Sequence, residues 1–334
     1  MFHARKSVSL LLCLVLVSGI LAACGGDDGD GGGAEDYPSG ETITFFAGAN
    51  PGSGWDQTAR AVADTLAREE LLPNAPVVEN IPGGSGTVAL NRLVNEEADN
   101  PYILQVTSTP ILSNELTGVS QLGFGDTIPI ARLIADYYIF AVDADSDVVD
   151  FEDFISRLQA DPGSVRIAGS DPGSDDWVAA AAVFRKADID FPNLTYAGFS
   201  GGAEIATAVL GGHADLGISG VGEFLAQIEA GEMRALAITS EERLETLPDI
   251  PTVKEQGVDV VWENWRGFVA PPDMPEDVVQ WWQDTFAEMV ETDTWQEMRD
   301  RFRWGESFMI DGFEEFLGER QEVIRTILEE AGAL

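Results

Sequence analysis

The sequence predicts an α/β protein built on mostly parallel strands, and three observations point there. From residue 41 onward, short runs rich in β-branched and aromatic residues alternate with stretches of helical periodicity, the order expected when each strand is followed by a crossover helix. Several apolar runs end in a Gly/Ser/Asp turn, the chemistry of a strand giving way to a helix. The chain has 334 residues, 45% of them hydrophobic, enough to fill the cores of two domains of ordinary size.

Taken in order, strands are expected at 43–47, 76–80, 102–107, 128–133, 138–142, 165–168, 194–197, 215–219, 234–239 and 267–270. Helices fill the intervals. Over 57–69, Ala59, Val62, Ala63 and Leu66 recur at three- and four-residue spacing, so one face is apolar and belongs against a sheet. The end of the chain differs, with amphipathic stretches at 276–289, 294–301 and 313–331 and hardly any strand signal. These helices are expected to wrap a finished sheet.

Five strand-to-helix turns stand out: 51–56, 82–86, 170–175, 199–202 and 219–222. In them Asp56, Ser85, Ser174, Ser200 and Ser219 are the expected helix N-caps. Helix N-termini carry free backbone N–H groups and a partial positive charge, so such turns hold anions without lysine. In parallel α/β sheets they gather at the carboxyl ends of the strands, where ligands bind.

The first residues are of another kind. Arg5 and Lys6 precede an apolar run, 8–17, too short to cross a bilayer, and Leu21-Ala22-Ala23-Cys24 follows, an ending that resembles a bacterial lipobox. On that reading 1–23 is a signal peptide and Cys24 is the lipidated N-terminus; the alternative is a plain secretory signal. Residues 24–41, dominated by Gly, Asp, Glu and Ser, have the composition of a flexible tether. No cysteine follows Cys24, so no internal disulfide supports the body. A formal charge of −39 argues against nucleic acid as a partner. That charge has two readings, adaptation to a saline medium or solubility alone.

Catalytic constellations are few. The phosphate-binding pattern G-x-x-x-x-G-K-[ST] is missing, since no lysine follows Gly54 or Gly86. Gly198-Phe199-Ser200-Gly201-Gly202 matches the nucleophile elbow G-x-S-x-G, which makes a serine hydrolase using Ser200 a rival reading. Such an enzyme needs a later acid and histidine. His213, the one histidine after the leader, follows the helix that Ser200 starts and belongs at the opposite end of the sheet. One histidine and no thiol in the body leave no zinc-type ligand set, and no metal or cofactor is expected.

At this point the segments "NPGSGWDQTAR", "ENIPGGSGTVA", "GSDPGSDDWVAA", "GGHADLGISGVGEFLAQIEAGEMRALAITSEER", "LPDIPTVKEQG" and "NWRGFVAPP" resemble, in that order, the solute receptors of tripartite tricarboxylate transporters, the TctC or Bug family. The resemblance implies a two-lobed, periplasmic-binding-protein-like fold, each lobe a mostly parallel sheet flanked by helices, with the ligand in a cleft between them. It implies a monomer that closes over a small di- or tricarboxylate, such as citrate, and delivers it to a large and a small membrane permease subunit. A second role of the same class, reporting carboxylate availability to a sensor kinase, is compatible with the same sequence.

Carried over residue by residue, the resemblance puts Ser53, Gly54, Asp56 and then Gly83, Gly84, Ser85 and Gly86 on the ligand from one lobe, with Ser174, Asp175, Ser200, Gly201 and Ser219 from the turns of the other. Ser108, at the end of another strand, joins them. Asp56 reads as a cap or as a ligand contact, and Arg266 as a carboxylate clamp or a surface ion pair. Trp55 and Trp265 read as pocket walls or as packing. Many members carry lysine after the tyrosine of the strand before the fourth turn; here Tyr196 is followed by Ala197, closer to the branch named for tricarboxylates. The expected lobes are interleaved, 42–141 with 264–334 in one and 142–263 in the other, with Asp143-Ala144-Asp145-Ser146-Asp147 as a polar crossover.

Overall fold

The computed structural model describes residues 37–334 apart from 39, 190 and 200. Cys24 and the leader therefore lie outside the described residues, and so does Ser200.

Two sheets share one long strand. β1 (Thr44–Ala47) lies between β2 (Val77–Asn80) and β3 (Ile103–Thr107), parallel to both. At the other end β5 (Arg166–Ser170) lies between β6 (Thr195–Phe199) and β7 (Leu216–Gly220), again all parallel. Antiparallel pairing joins the two ends through β4 (Ile128–Asp143) and β9 (Glu263–Ala270), in the order β2-β1-β3-β9-β4-β7-β5-β6. β8 (Met233–Ile238) and β10 (Gly305–Met309) also pair with β4.

β4 replaces the two strands expected at 128–133 and 138–142. Its first half, through Tyr137, pairs with β9, and its second half, from Tyr138, pairs with β7 and β8. The chain thus passes between the sheets at Tyr137–Tyr138, not at the Asp143–Asp147 stretch, which forms a turn after the strand. The acid that interrupts the apolar pattern, Asp136, is tolerated in mid-strand because it faces Arg266 of β9. β10 corrects the all-helical expectation for the chain's end: with little apolar signal of its own, it forms by antiparallel pairing with Arg132, Ile134 and Ala135 of β4.

Helices cover the sheets where their periodicity directs. α1 (Gly54–Arg68) packs Ala59, Val62 and Leu66 inward, α2 (Thr87–Asn95) follows β2, and α3 (Pro110–Leu116) follows β3. α4 (Phe151–Ala160), α5 (Asp175–Lys186), α6 (Gly202–Leu210) and α7 (Val221–Glu229) belong to the second sheet. α8 (Glu276–Val290), α9 (Asp293–Phe302) and α10 (Phe313–Glu330) lie within a residue or so of the expected C-terminal helices. One core sets Phe45, Phe268, Trp282 and Phe286 on the first sheet, and another stacks Phe140, Phe151, Phe154 and Phe184 around the second. No helix among the described residues is long and apolar enough to cross a membrane.

Candidate functional site

The carboxyl ends of the parallel strands face one another across a cavity of about 400 Å³. All five turns singled out in the sequence reach it, through Ser53, Gly54 and Trp55, through Gly83, Gly84 and Ser85, through Ser174 and Asp175, through Gly201, and through Ser219. Ser108 and Arg266 line it too. Asp56, Gly86 and Trp265 do not.

The first wall is neutral and built from backbone. Ser53, in extended conformation, is the true N-cap of α1 and accepts from the Asp56 amide (3.3 Å). Asp56 sits three positions inside the helix, so its expected cap role moves to Ser53. Its carboxylate reaches back to accept from the Gly52 amide (2.8 Å) and from Arg60 Nε (2.9 Å). Burial alone raises its pKa, but those hydrogen bonds hold it below the usual carboxylate value. Trp55 donates from its indole N–H to Ser108 Oγ (2.9 Å), and Gly86 lies against its ring so closely that a Cβ there would come within 2.7 Å. Gly86 therefore supports the wall from behind.

Gly83, Gly84, Ser85 and Gly86 all take positive φ, and Asn114 Nδ2 holds the carbonyls of Gly84 (3.2 Å) and Ser85 (3.0 Å). A trans peptide points its N–H opposite its C=O. Holding the Gly84 carbonyl on Asn114 thus turns the Ser85 amide away from Asn114. Ser85, with φ 49°, is inside this tight turn, and Gly86 is the residue preceding α2 in the N-cap position.

The second wall is acidic. Ser174 holds the N-cap position of α5, as expected, but its hydroxyl donates to Asp176 Oδ1 (2.6 Å) instead of capping an amide. The expected caps Ser200 and Ser219 give way to Gly201 for α6 and Gly220 for α7. The Ser219 hydroxyl donates to Glu223 Oε2 (2.6 Å). Asp176 also accepts from the Ser170 amide (2.7 Å). Asp171 lines the cavity and is exposed. Asp175 accepts from Tyr138 (2.9 Å) and from the Trp262 indole (3.1 Å). None of Asp171, Asp176 and Glu223 was among the sequence-derived candidates; the run "GSDPGSDDW" carried the first two in plain view, and Glu223 stands at the third position of a helix.

Arg266 forms the floor. Its side chain is 4% exposed and its Nη2 lies 3.2 Å from Asp136 Oδ2. With the Asn264 amide oriented to match its neighbours, Asn264 accepts from the same Nη2 (2.9 Å) and donates to Asp175 (3.2 Å). Nη1 is buried without a hydrogen-bond partner. The surface ion pair considered for Arg266 is replaced by a buried pair.

Burial pushes the carboxyls of Asp136 and Asp176 up to about 6, against the pull of Arg266 on the first and of Ser174 and Ser170 on the second. Both folded values exceed the unfolded value near 4, so the folded state binds more protons than the unfolded state between about pH 4 and 6. Their contribution is fully present below that window and is lost as pH rises through 6. Asp56, Asp153, Asp215 and Glu255 shift the other way, and their contribution fades only below about pH 4. Urea melts should therefore show higher stability at pH 5 than at pH 8, by about 1.4 kcal/mol for each of the two raised groups.

His213 is exposed in the turn after α6, and Gly201 precedes that helix. Nine residues of α6 separate the two ends, about 13 Å of helix axis. His213 thus stands at the end of α6 opposite Gly201, while Ser200 itself lies outside the described residues. Among the described residues, no group of three or more His, Cys, Asp or Glu is placed to hold a metal ion.

Two sheets linked by a shared strand, with a polar cavity at the carboxyl ends of the strands, define the class of two-lobed periplasmic binding proteins. The family described as "Tripartite tricarboxylate transporter family receptor" matches residues 58–331, and the chain belongs to it. It is similar to Protein BugT of Bordetella pertussis, at 27% identity over 71% of this chain and 72% of that one. Among solved structures it resembles a TctC solute binding protein from Polaromonas, with TM-score 0.66, 26% identity, and 88% and 99% of the two chains covered. It also resembles Rpa4515 of R. palustris solved with adipate, with TM-score 0.80, 21% identity, and 87% and 97% covered.

Proposed function

We propose that this protein is the receptor of a tripartite tricarboxylate-type transporter, binding a small di- or tricarboxylate in the cavity and handing it to membrane permease subunits. The observation that carries the reading is Arg266: a buried guanidinium on the cavity floor with Nη1 unpartnered, beside a wall of backbone amides. Guanidinium matches a carboxylate with two parallel hydrogen bonds, and the start of α1 adds a helix N-terminus. Adipate in a protein of like fold supports a dicarboxylate of that size. Anchoring through a lipid on Cys24 fits the lipobox-like segment.

We assign 42–137 with 264–334 to one lobe and 138–263 to the other, dividing β4 where its pairing changes partners. Bound ligand touches both walls and so favours the closed arrangement over the open one. No catalytic group is required for this task.

Calorimetric titration with citrate, succinate, malate, adipate and acidic amino acids, at low and at about molar salt where screening differs most, tests the proposal. One-site saturable binding of a member of the panel supports it. Absence of heat from all of them, at both salt levels, removes it.

A further inference from the structure

α3 fastens both walls of the cavity, one through each of two neighbouring side chains. Asn114 holds the Gly84 and Ser85 carbonyls of the first wall (3.2 and 3.0 Å). The Ser113 hydroxyl donates instead to the Gly173 carbonyl of the second. Gly173 lies in a turn closed by the Ser174 amide on the Asp171 carbonyl (3.0 Å), and Asp171 and Ser174 line the cavity. Its φ of +90° suits the third position of a type II turn, with Pro172 at the second.

The Ser113–Gly173 bond joins residues 60 positions apart that fall in different lobes, away from the strands that cross between the sheets. Ser113 is 0% exposed and Gly173 is buried. Other side chains bridge the lobes at the surface, Arg303 to Glu229 (3.7 Å) and Arg185 to Glu330. Exposed ion pairs of that kind contribute little and are screened by salt. The serine hydroxyl carries no charge, so its bond is indifferent to salt. When the lobes part, water takes up both the hydroxyl and the carbonyl; when they meet, water is excluded and each group needs the other.

Resting on the receptor reading, we propose that Ser113 is the latch between the lobes, a positioning residue that favours the arrangement in which both walls meet one ligand. It retains a bound molecule without touching it. Removing its hydroxyl leaves the Gly173 carbonyl buried and unpartnered in the closed arrangement alone, which is worth about tenfold in the ratio of closed to open molecules.

The chain has two cysteines, Cys13 and Cys24, so with both changed to Ser, labels attach only where cysteines are introduced. Spin labels go on Asn91→Cys in α2 and Thr207→Cys in α6, exposed positions with one in each lobe. Pulsed electron paramagnetic resonance then gives the distance between lobes for the parent and for Ser113→Ala. It is recorded without ligand and with citrate, succinate, malate or adipate, at low and at about molar salt. Ser113→Ala is expected to lower the closed-to-open ratio about tenfold at either salt level. Any of these acids that binds is expected to leave Ser113→Ala about tenfold faster, with its association rate unchanged. Distance distributions identical to the parent's under every condition overturn the latch, even if the urea midpoint falls, because a merely structural serine would behave in that way. An acid held equally tightly by both proteins also overturns it and leaves the receptor reading standing. If none of the acids binds, the receptor reading falls, and the distances without ligand decide the latch alone.

Discussion

Arg266→Ala is expected to lower affinity for the bound carboxylate by about 100-fold, near 3 kcal/mol, and to destabilise the protein by about 3–5 kcal/mol. The two losses have separate causes. The first is the guanidinium's missing contact with the ligand. The second arises because Asp136, 1% exposed at its side chain, is left with a buried charge and no counter-ion. Without Arg266 the Asp136 carboxyl shifts further up, so the folded state holds its proton to higher pH. The stability deficit should be greatest at pH 8 and shrink toward pH 5, which urea melts at both values would reveal. Gly54→Ala acts on both losses at once: a Cβ at Gly54 would lie 2.3 Å from Arg266 Nη2, the atom that pairs with Asp136, so it displaces the guanidinium and strains that pair. Affinity and stability should both fall; an Arg266→Ala protein that binds as well as the parent would remove the clamp from the site.

Trp282→Ala is expected to cost about 3–5 kcal/mol, with ligand affinity little changed. Trp282 is fully buried, lies against Phe45 and Phe286, and donates its indole N–H to the Tyr37 hydroxyl (2.9 Å). Its removal leaves a cavity in the core between α8 and the first sheet, away from the ligand-lining residues, and takes a donor from Tyr37. Urea denaturation would register the loss as a lower midpoint, and limited proteolysis as earlier cleavage near Tyr37. A midpoint unchanged within error would mean that α8 contributes little to holding the first sheet.

How much of this was legible in the sequence depends on the range of the interaction. Strand-to-helix turns are local, and the five seen in the sequence do converge on one cavity. The capping residues within them were misassigned at Asp56, Ser85, Ser200 and Ser219, because a Ser or Asp near a helix start satisfies the same composition rule from N′, N-cap or third position. Only backbone geometry separates these. Asp136 and Arg266 are 130 residues apart, and nothing in either neighbourhood announces that one neutralises the other. The same blindness split β4 in two, since Asp136 breaks an apolar run whose continuity depends on that distant partner. β10 is the converse case, a strand that borrows its identity from the edge it joins. The acidic wall was missed for a different reason: a search for anion chemistry looks for donors, and acids at a helix start are the expected complement of its dipole.

Tyr37 stacks on Tyr102, donates to the Pro101 carbonyl (2.6 Å) and packs edge-on against Trp281. Tyr102 stands at the beginning of β3 and Ser108 just past its end, so this aromatic clasp and the ligand opening are about 20 Å apart along one strand, at opposite ends. Whatever is attached upstream of Tyr37 pulls on the base of the molecule. A force applied there would load α8 and the first sheet without passing through the residues that line the cavity. On the receptor reading proposed above, an anchor upstream of Tyr37 and a partner at the mouth would load opposite poles of the first sheet.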